Sequence, residues 1–257
     1  MTLSVHSLSF RYGAKQALDQ VSFDLSPGFT ALLGPNGAGK STLFGLLTRL
    51  FTAPQGQITV AGHDLARSPR AALASMGVVF QQPTLDLDLT VRRNLLYFAA
   101  LHGLSGRTAE TRTAEALARL GMAERAAEPV RNLNGGHRRR MEIARALIHR
   151  PAVLLLDEPT VGLDAAARQS IVAHVHDLAA DGLTVLWATH LTDEVRATDH
   201  LLILHQGRLL ADARAESIAP PASLQQAFLA LTAAPVHAAP GASSSPRASP
   251  QPTQAPT

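Results

Sequence analysis

Cysteine is absent from all 257 residues. That excludes disulfide frameworks and thiolate metal sites, and it suits a reducing compartment. Long apolar runs are absent too: no uninterrupted stretch approaches the roughly 18 residues that a bilayer-crossing helix needs. Met1 to Phe10 has neither a basic flank nor an apolar signal core. The expectation is a chain that neither spans a membrane nor is secreted. Excess charge is small: the pI is 9.9, yet the net charge is only +3, because nearly all the base is arginine. Such a balance gives no reason to expect a nucleic-acid partner. Lysine occurs only at Lys15 and Lys40. What the chain does have is apolar bulk, 46% of its residues, enough for a real core in one large or two small domains.

Leu3 to Phe10 and Val21 to Leu25 alternate like strands. The short apolar runs Thr30 to Leu33, Val153 to Leu156 and Thr184 to Ala188 read as buried parallel strands, each followed by a polar loop. From Val91 to Leu120 the period becomes helical, with Leu95, Phe98 and Leu101 on one face and Gly121 as a stop after Leu117 and Leu120. This predicts a small helical subdomain, about residues 82–132, inserted in an α/β core. His200 to His205, Gln206-Gly207 and Arg208 to Ala211 predict a closing hairpin. From Pro235 the chain is Pro, Ala and Ser with little apolar bulk, too little to offset the entropy of ordering. The expected division is a folded domain over 1–232 and a disordered tail over 233–257.

Gly34-Pro35-Asn36-Gly37-Ala38-Gly39-Lys40-Ser41-Thr42 fits the phosphate-loop pattern in its required context, after a strand and opening a helix with Leu43, Leu46 and Leu47. Glycines let backbone N–H groups converge on phosphate oxygens, and the helix adds the positive end of its dipole. Lys40 would neutralise the β- and γ-phosphates, and Ser41 would ligate Mg²⁺. Val153-Leu154-Leu155-Leu156-Asp157-Glu158 puts two carboxylates just past a buried strand, where a doubly wound sheet exposes its ligand side. Asp157 would hold Mg²⁺ and Glu158 would be the general base that orients the attacking water. Taken alone, the pair could be an acidic turn.

Five further segments complete the pattern: Phe10-Arg11-Tyr12-Gly13; Phe80-Gln81-Gln82-Pro83 through Thr90; Leu133-Asn134-Gly135-Gly136-His137-Arg138-Arg139-Arg140; Val161-Gly162-Leu163-Asp164; and Trp187-Ala188-Thr189-His190. In this order, over about Thr2 to Ala230, the chain resembles the ATP-binding cassette (ABC) ATPases. Within them it is similar to the ATPase subunits of bacterial ABC-2-type exporters, in particular those associated with quinoprotein alcohol dehydrogenase systems. The resemblance implies an α/β P-loop NTPase fold: a RecA-like core, an antiparallel β subdomain and the helical insert. It implies that Tyr12 stacks on adenine, that Gln81 touches Mg²⁺ and senses a membrane partner, and that His190 contacts the γ-phosphate. By itself Tyr12 reads equally well as an exposed strand-end tyrosine, and Asp164 as a helix cap. In the family Asp164 communicates across a dimer, and Asn134, Gly135 and Gly136 bind the γ-phosphate of ATP held by a second subunit. The usual signature serine is Asn134 here and the usual glutamine is His137; an asparagine amide can still donate. Arg138 to Arg140 are expected on a solvated helix face, with Arg140 supporting the signature loop.

The implied function is an ATPase subunit that uses ATP and Mg²⁺ and pairs with a second ATPase subunit. It would sit on the cytoplasmic face of the inner membrane through an integral membrane permease. The alternative is a soluble ABC ATPase of translation or DNA repair, but those carry two cassettes in tandem, long coiled coils or cysteine-rich insertions, none of which is found here.

Overall fold

The computed structural model describes residues 1–220 and 223–233. The Pro/Ala/Ser-rich stretch from Pro235 lies outside them. β1 (Leu3–Tyr12) and β2 (Lys15–Leu25) form an antiparallel hairpin that buries Leu3, Val5, Leu8, Leu18, Val21, Phe23 and Leu25. β3 (Gly28–Leu33) then crosses to a second sheet and leads through the phosphate loop into α1 (Lys40–Leu47). β4 (Gln55–Val60) and β5 (His63–Asp64) return to the first sheet, whose order is β2-β1-β4-β5. After α2 (Pro69–Ala74), β6 (Met76–Val79) joins the second sheet, and the helices α3 (Val91–Leu101), α4 (Gly106–Arg119) and α5 (Gly135–Leu147) follow. The chain continues with β7 (Val153–Asp157), α6 (Ala165–Ala180), β8 (Thr184–Thr189), β9 (His200–His205), β10 (Arg208–Arg214), α7 (Ala215–Ile218) and α8 (Leu224–Ala233). The second sheet runs β10-β9-β3-β8-β7-β6, parallel except for β10.

Strand alternation divides the core between the two faces of this sheet. Ala31, Leu33, Leu154, Leu156, Val185, Trp187, Leu201 and Ile203 face the helical side; Leu32, Val153, Leu155, Leu186, Ala188, Leu202 and Leu204 face α1 and the antiparallel sheet. Both faces are covered, which is why these strands read as unbroken apolar runs. Each polar loop at their C-terminal ends is thereby brought to one edge.

The stretch from Val91 to Leu120 forms two helices, α3 and α4, with a break at residues 102–105. The expected face is revised. Leu101 is 63% exposed, while Val91, Asn94, Leu95 and Ala99 are buried. At 3.6 residues per turn Leu101 lies about 120° round the axis from Leu95, so the two cannot share a narrow buried stripe. The β9–β10 hairpin forms as expected, and its tip does more than close the sheet. Gly207 N–H donates to Ala38 O (2.9 Å) and Gly207 O accepts from Asp19 N–H (2.8 Å), tying the phosphate loop to β2.

Candidate active site

The phosphate loop is shaped by close backbone packing. A Cβ on Gly34 would lie 2.6 Å from Leu204 O, and one on Gly39 2.7 Å from Ala17 O. Gly39 also holds φ +114 at the start of α1, a conformation that favours glycine, and no side chain caps the helix there. The first N–H groups of α1 are thus left for an anion.

Lys40 is 5% exposed and folds back across its own loop. Its Nζ donates to Gly34 O (2.7 Å) and Pro35 O (3.3 Å) and lies 3.2 Å from Glu158 Oε1. His190 Nδ1 is 3.6 Å from the same oxygen. Lysine, glutamate and histidine, 150 residues apart at the extremes, converge because β3, β7 and β8 are adjacent and parallel. Glu158 sits at φ +45, unusual for a residue with a Cβ, and its N–H is held by Ala188 O (3.0 Å). Such backbone strain concentrates at functional positions. Asp157 is buried and its Oδ1 has no hydrogen-bond partner. Burial first, and the Glu158 charge second, push its carboxyl up to about 6, against the opposing pull of Lys40.

Tyr12, Lys15, Asn36, Gly37, Gly39, Lys40, Ser41, Thr42, Gln81, Glu158 and His190 line one open cleft of about 530 Å³. That is the size range of small-molecule sites. Gln81, not Gln82, is the glutamine that faces it. Tyr12 stands at the rim, 47% exposed, with its ring edge-on to Phe10 and Phe51 at 5.0 and 5.9 Å.

Asn134, Gly135, Gly136 and Asp164 are not among the residues lining this cleft. They form a second patch. Asn134 Oδ1 caps α5 by accepting from His137 N–H (2.9 Å), and Asp164 Oδ1 caps α6 by accepting from Ala167 N–H (2.8 Å). The two helix starts pack together so closely that a Cβ on Gly136 would lie 3.0 Å from the Ala167 methyl, and one on Gly135 3.1 Å from Leu163.

The expected solvated face of arginines is corrected. Arg139 is buried and ion-paired with Glu142 at 2.8 Å, and it is Arg138 that supports the turn before the signature, donating to Val130 O and Arg131 O. Arg140 instead reaches Ser170 Oγ on α6 (2.8 Å). The sequence reading also overlooked Glu194. This buried carboxylate accepts from Trp187 Nε1 (2.9 Å) and from Thr160 Oγ1, and so links the segments after β7 and β8. No local pattern marks such a residue, since its partners lie 7 and 34 positions away.

Residues 18–161 match the family model described as ABC transporter. The linearmycin resistance ATP-binding protein LnrL of Bacillus subtilis (strain 168) is 36% identical over 211 residues, covering 81% of this chain and 68% of that protein. The daunorubicin resistance ATP-binding protein DrrA2 of Streptomyces coeruleorubidus is 42% identical over 206 residues, 79% of this chain and 63% of that one. The Nod factor export ATP-binding protein I of Neorhizobium galegae is 39% identical over 226 residues, 87% and 63%. The chain thus spans less than two thirds of the length of the last two. A solved structure of the ATP-binding subunit of an ABC transporter superposes with a TM-score of 0.77 at 28% identity, covering 90% of this chain and 99% of that one.

Proposed function

Because the chain belongs to the ABC transporter family, as an ATP-binding subunit that hydrolyses ATP to energise transport, we propose that it works as a head-to-tail pair driving export through a separate membrane permease. The observation that carries this reading is the separation of the two patches. One chain has a cleft with phosphate loop, base and histidine, but its signature residues are not among those that line it. A second copy, turned by a two-fold axis, would supply Asn134, Gly135, Gly136 and Asp164 to the first copy's nucleotide, and receive the same in return. The relatives are named for export or for resistance to antibiotics, which supports outward transport. None of these three is named for translation or repair. No helix among the described residues is long and apolar enough to cross a membrane, so in this reading a permease holds the chain at the membrane.

In the cleft, Tyr12 would stack on the adenine ring and the loop from Gly34 to Thr42 would cradle the phosphates. Lys40 would turn from its carbonyl partners to the β- and γ-phosphates. The residues present suit Mg²⁺: Asp157 Oδ1 is an oxygen donor buried without a partner at the end of β7, next in sequence to Glu158, and Ser41 and Gln81 line the cleft with neutral oxygens. When bound, the cation would neutralise charge on the phosphate oxygens. Glu158 would accept the proton of the attacking water, and His190, 3.6 Å from it, would face the γ-phosphate.

Asn134 separates capping from catalysis. Its Oδ1 is spent on His137 N–H, so any contact with an opposing phosphate must come from the amide N–H₂. Asn134→Asp keeps the cap but puts a carboxylate where that donor was; at an effective dielectric near 20, two unit charges about 4 Å apart cost roughly 4 kcal/mol, about 10³-fold in rate. Asn134→Ser should stay within about tenfold, since a hydroxyl both caps and donates. Equal rates for the Asp and Asn forms would reduce Asn134 to a cap.

The pairing itself is tested by mixing Lys40→Ala with Asn134→Asp chains. In a head-to-tail pair one composite site collects both lesions and the other is intact. Random pairing of equal amounts then restores about a quarter of wild-type turnover. Turnover no higher than the sum of the separate variants would reject the shared site.

A further inference from the structure

Three charged residues on α5 are used by nothing described so far. Arg139, Glu142 and Arg145 are all buried, at successive three-residue steps along one side of the helix. They converge on the backbone of residues 80–84. Arg139 Nη1 donates to Phe80 O and Nη2 to Gln81 O, both at 2.8 Å. Glu142 Oε1 accepts from Thr84 N–H at 2.9 Å, while its Oε2 pairs with Arg139. Arg145 donates to Thr84 O (2.9 Å) and Thr84 Oγ1 (2.6 Å), and its guanidinium lies 4.2 Å over the Phe98 ring. Burial disfavours all three charges, raising the Glu142 carboxyl and lowering both guanidiniums. A buried cluster of this kind contributes little net stability; apolar residues of similar volume often do as well or better. Its distinctive product is geometry. Two planar forks and a carboxylate bind Phe80, Gln81 and Thr84 to one rigid helix.

That helix begins at the Asn134 cap, and Gln81 lines the nucleotide cleft. We propose that Arg139, Glu142 and Arg145 are positioning residues that clamp residues 80–84 to α5, so that Gln81 in one subunit's cleft and Asn134 at its signature move as one body. The clamp rests on the two-site reading above. It gives that reading a mechanical link: an event at Gln81 is carried along α5 to the opposing subunit's nucleotide, and a displacement of residues 80–84 by the permease reaches both sites at once.

The test uses the full chain with Arg139→Leu/Glu142→Leu, which removes the ion pair and leaves Arg145 as the remaining buried charge, still bonded to Thr84. Amide hydrogen exchange over residues 80–84 should accelerate at least about tenfold, because the anchors on Phe80 O, Gln81 O and Thr84 N–H are gone and Arg145 alone remains, while the β7 strand stays protected. KM for ATP should stay within about twofold, since Tyr12 and the phosphate loop are untouched, but kcat should fall about 10- to 100-fold from misplacement of Gln81. Arg139→Gln, which keeps Glu142 and one donor, should show the same split to a lesser degree and covers the case in which the double variant fails to fold. Unchanged exchange, or a folded variant with wild-type kcat, would overturn the clamp. Parallel losses in kcat and ATP affinity would do so as well, because they mark general damage. Wild-type turnover by Lys40→Ala would instead defeat the underlying site assignment.

Discussion

Lys40→Ala should abolish ATP turnover, with a loss of at least about 10³-fold. Removing one preorganised donor to developing charge costs about 10²- to 10³-fold, and here a full positive charge beside the phosphates goes with it. The structure also shows what else is lost. Lys40 satisfies Gly34 O and Pro35 O and pairs with Glu158, so alanine leaves two loop carbonyls without their donor and Glu158 facing only His190. An orphaned group of this kind costs about 1–3 kcal/mol, which for a chain of this size lowers the melting temperature by several degrees without unfolding it. The informative result is therefore a cooperative thermal transition, modestly lowered, in a protein with no turnover. Turnover near the wild-type rate would show that Lys40 is a structural lysine and that the cleft is not the hydrolytic site.

Glu158→Gln should retain nucleotide binding and slow hydrolysis by about 10²- to 10⁴-fold, the usual contribution of a positioned general base. The amide is isosteric and its oxygen can still accept from Lys40, so the cleft keeps its shape. Losing the Glu158 charge removes one of the two causes that raise Asp157, whose carboxyl should fall from about 6 and be more fully ionised near neutrality. With ATP bound and not cleaved, the head-to-tail pair should accumulate. Size-exclusion chromatography with ATP and Mg²⁺ should show a dimer for Glu158→Gln that is absent without nucleotide. A monomer under both conditions would remove the support for a nucleotide sandwich, and a wild-type rate would move the base elsewhere.

These expectations draw on both levels of description. The phosphate loop, Asp157-Glu158 and His190 were legible in the chain because each directly follows a strand buried on both faces, and such strands appear as short unbroken apolar runs. The antiparallel hairpin was legible from period-two alternation, and the closing hairpin from Gln206-Gly207. The helical insert was legible only in outline. Its break after Leu101 and the exposure of that residue depend on where α3 meets its neighbours, and periodicity over eleven residues does not resolve a 120° rotation.

The arginines after the signature were misread for a related reason. Three consecutive cations look solvated in one dimension, and only the packing of α5 against residues 80–84 shows that Arg139 is buried with Glu142 and Arg145. Motif chemistry is local: a glycine-rich turn or a strand-end carboxylate needs only its immediate neighbours to be recognised. Sequence alone therefore determined the family resemblance, the α/β architecture and the residues proposed to meet the nucleotide. Tertiary structure alone decided that the signature residues and Asp164 lie outside the lining of the cleft, and that buried charges tie residues 80–84 to the helix that begins at the signature. That tie rests on hydrogen bonds spanning about sixty positions, and burial turns charged side chains that look solvated in the sequence into fixed struts.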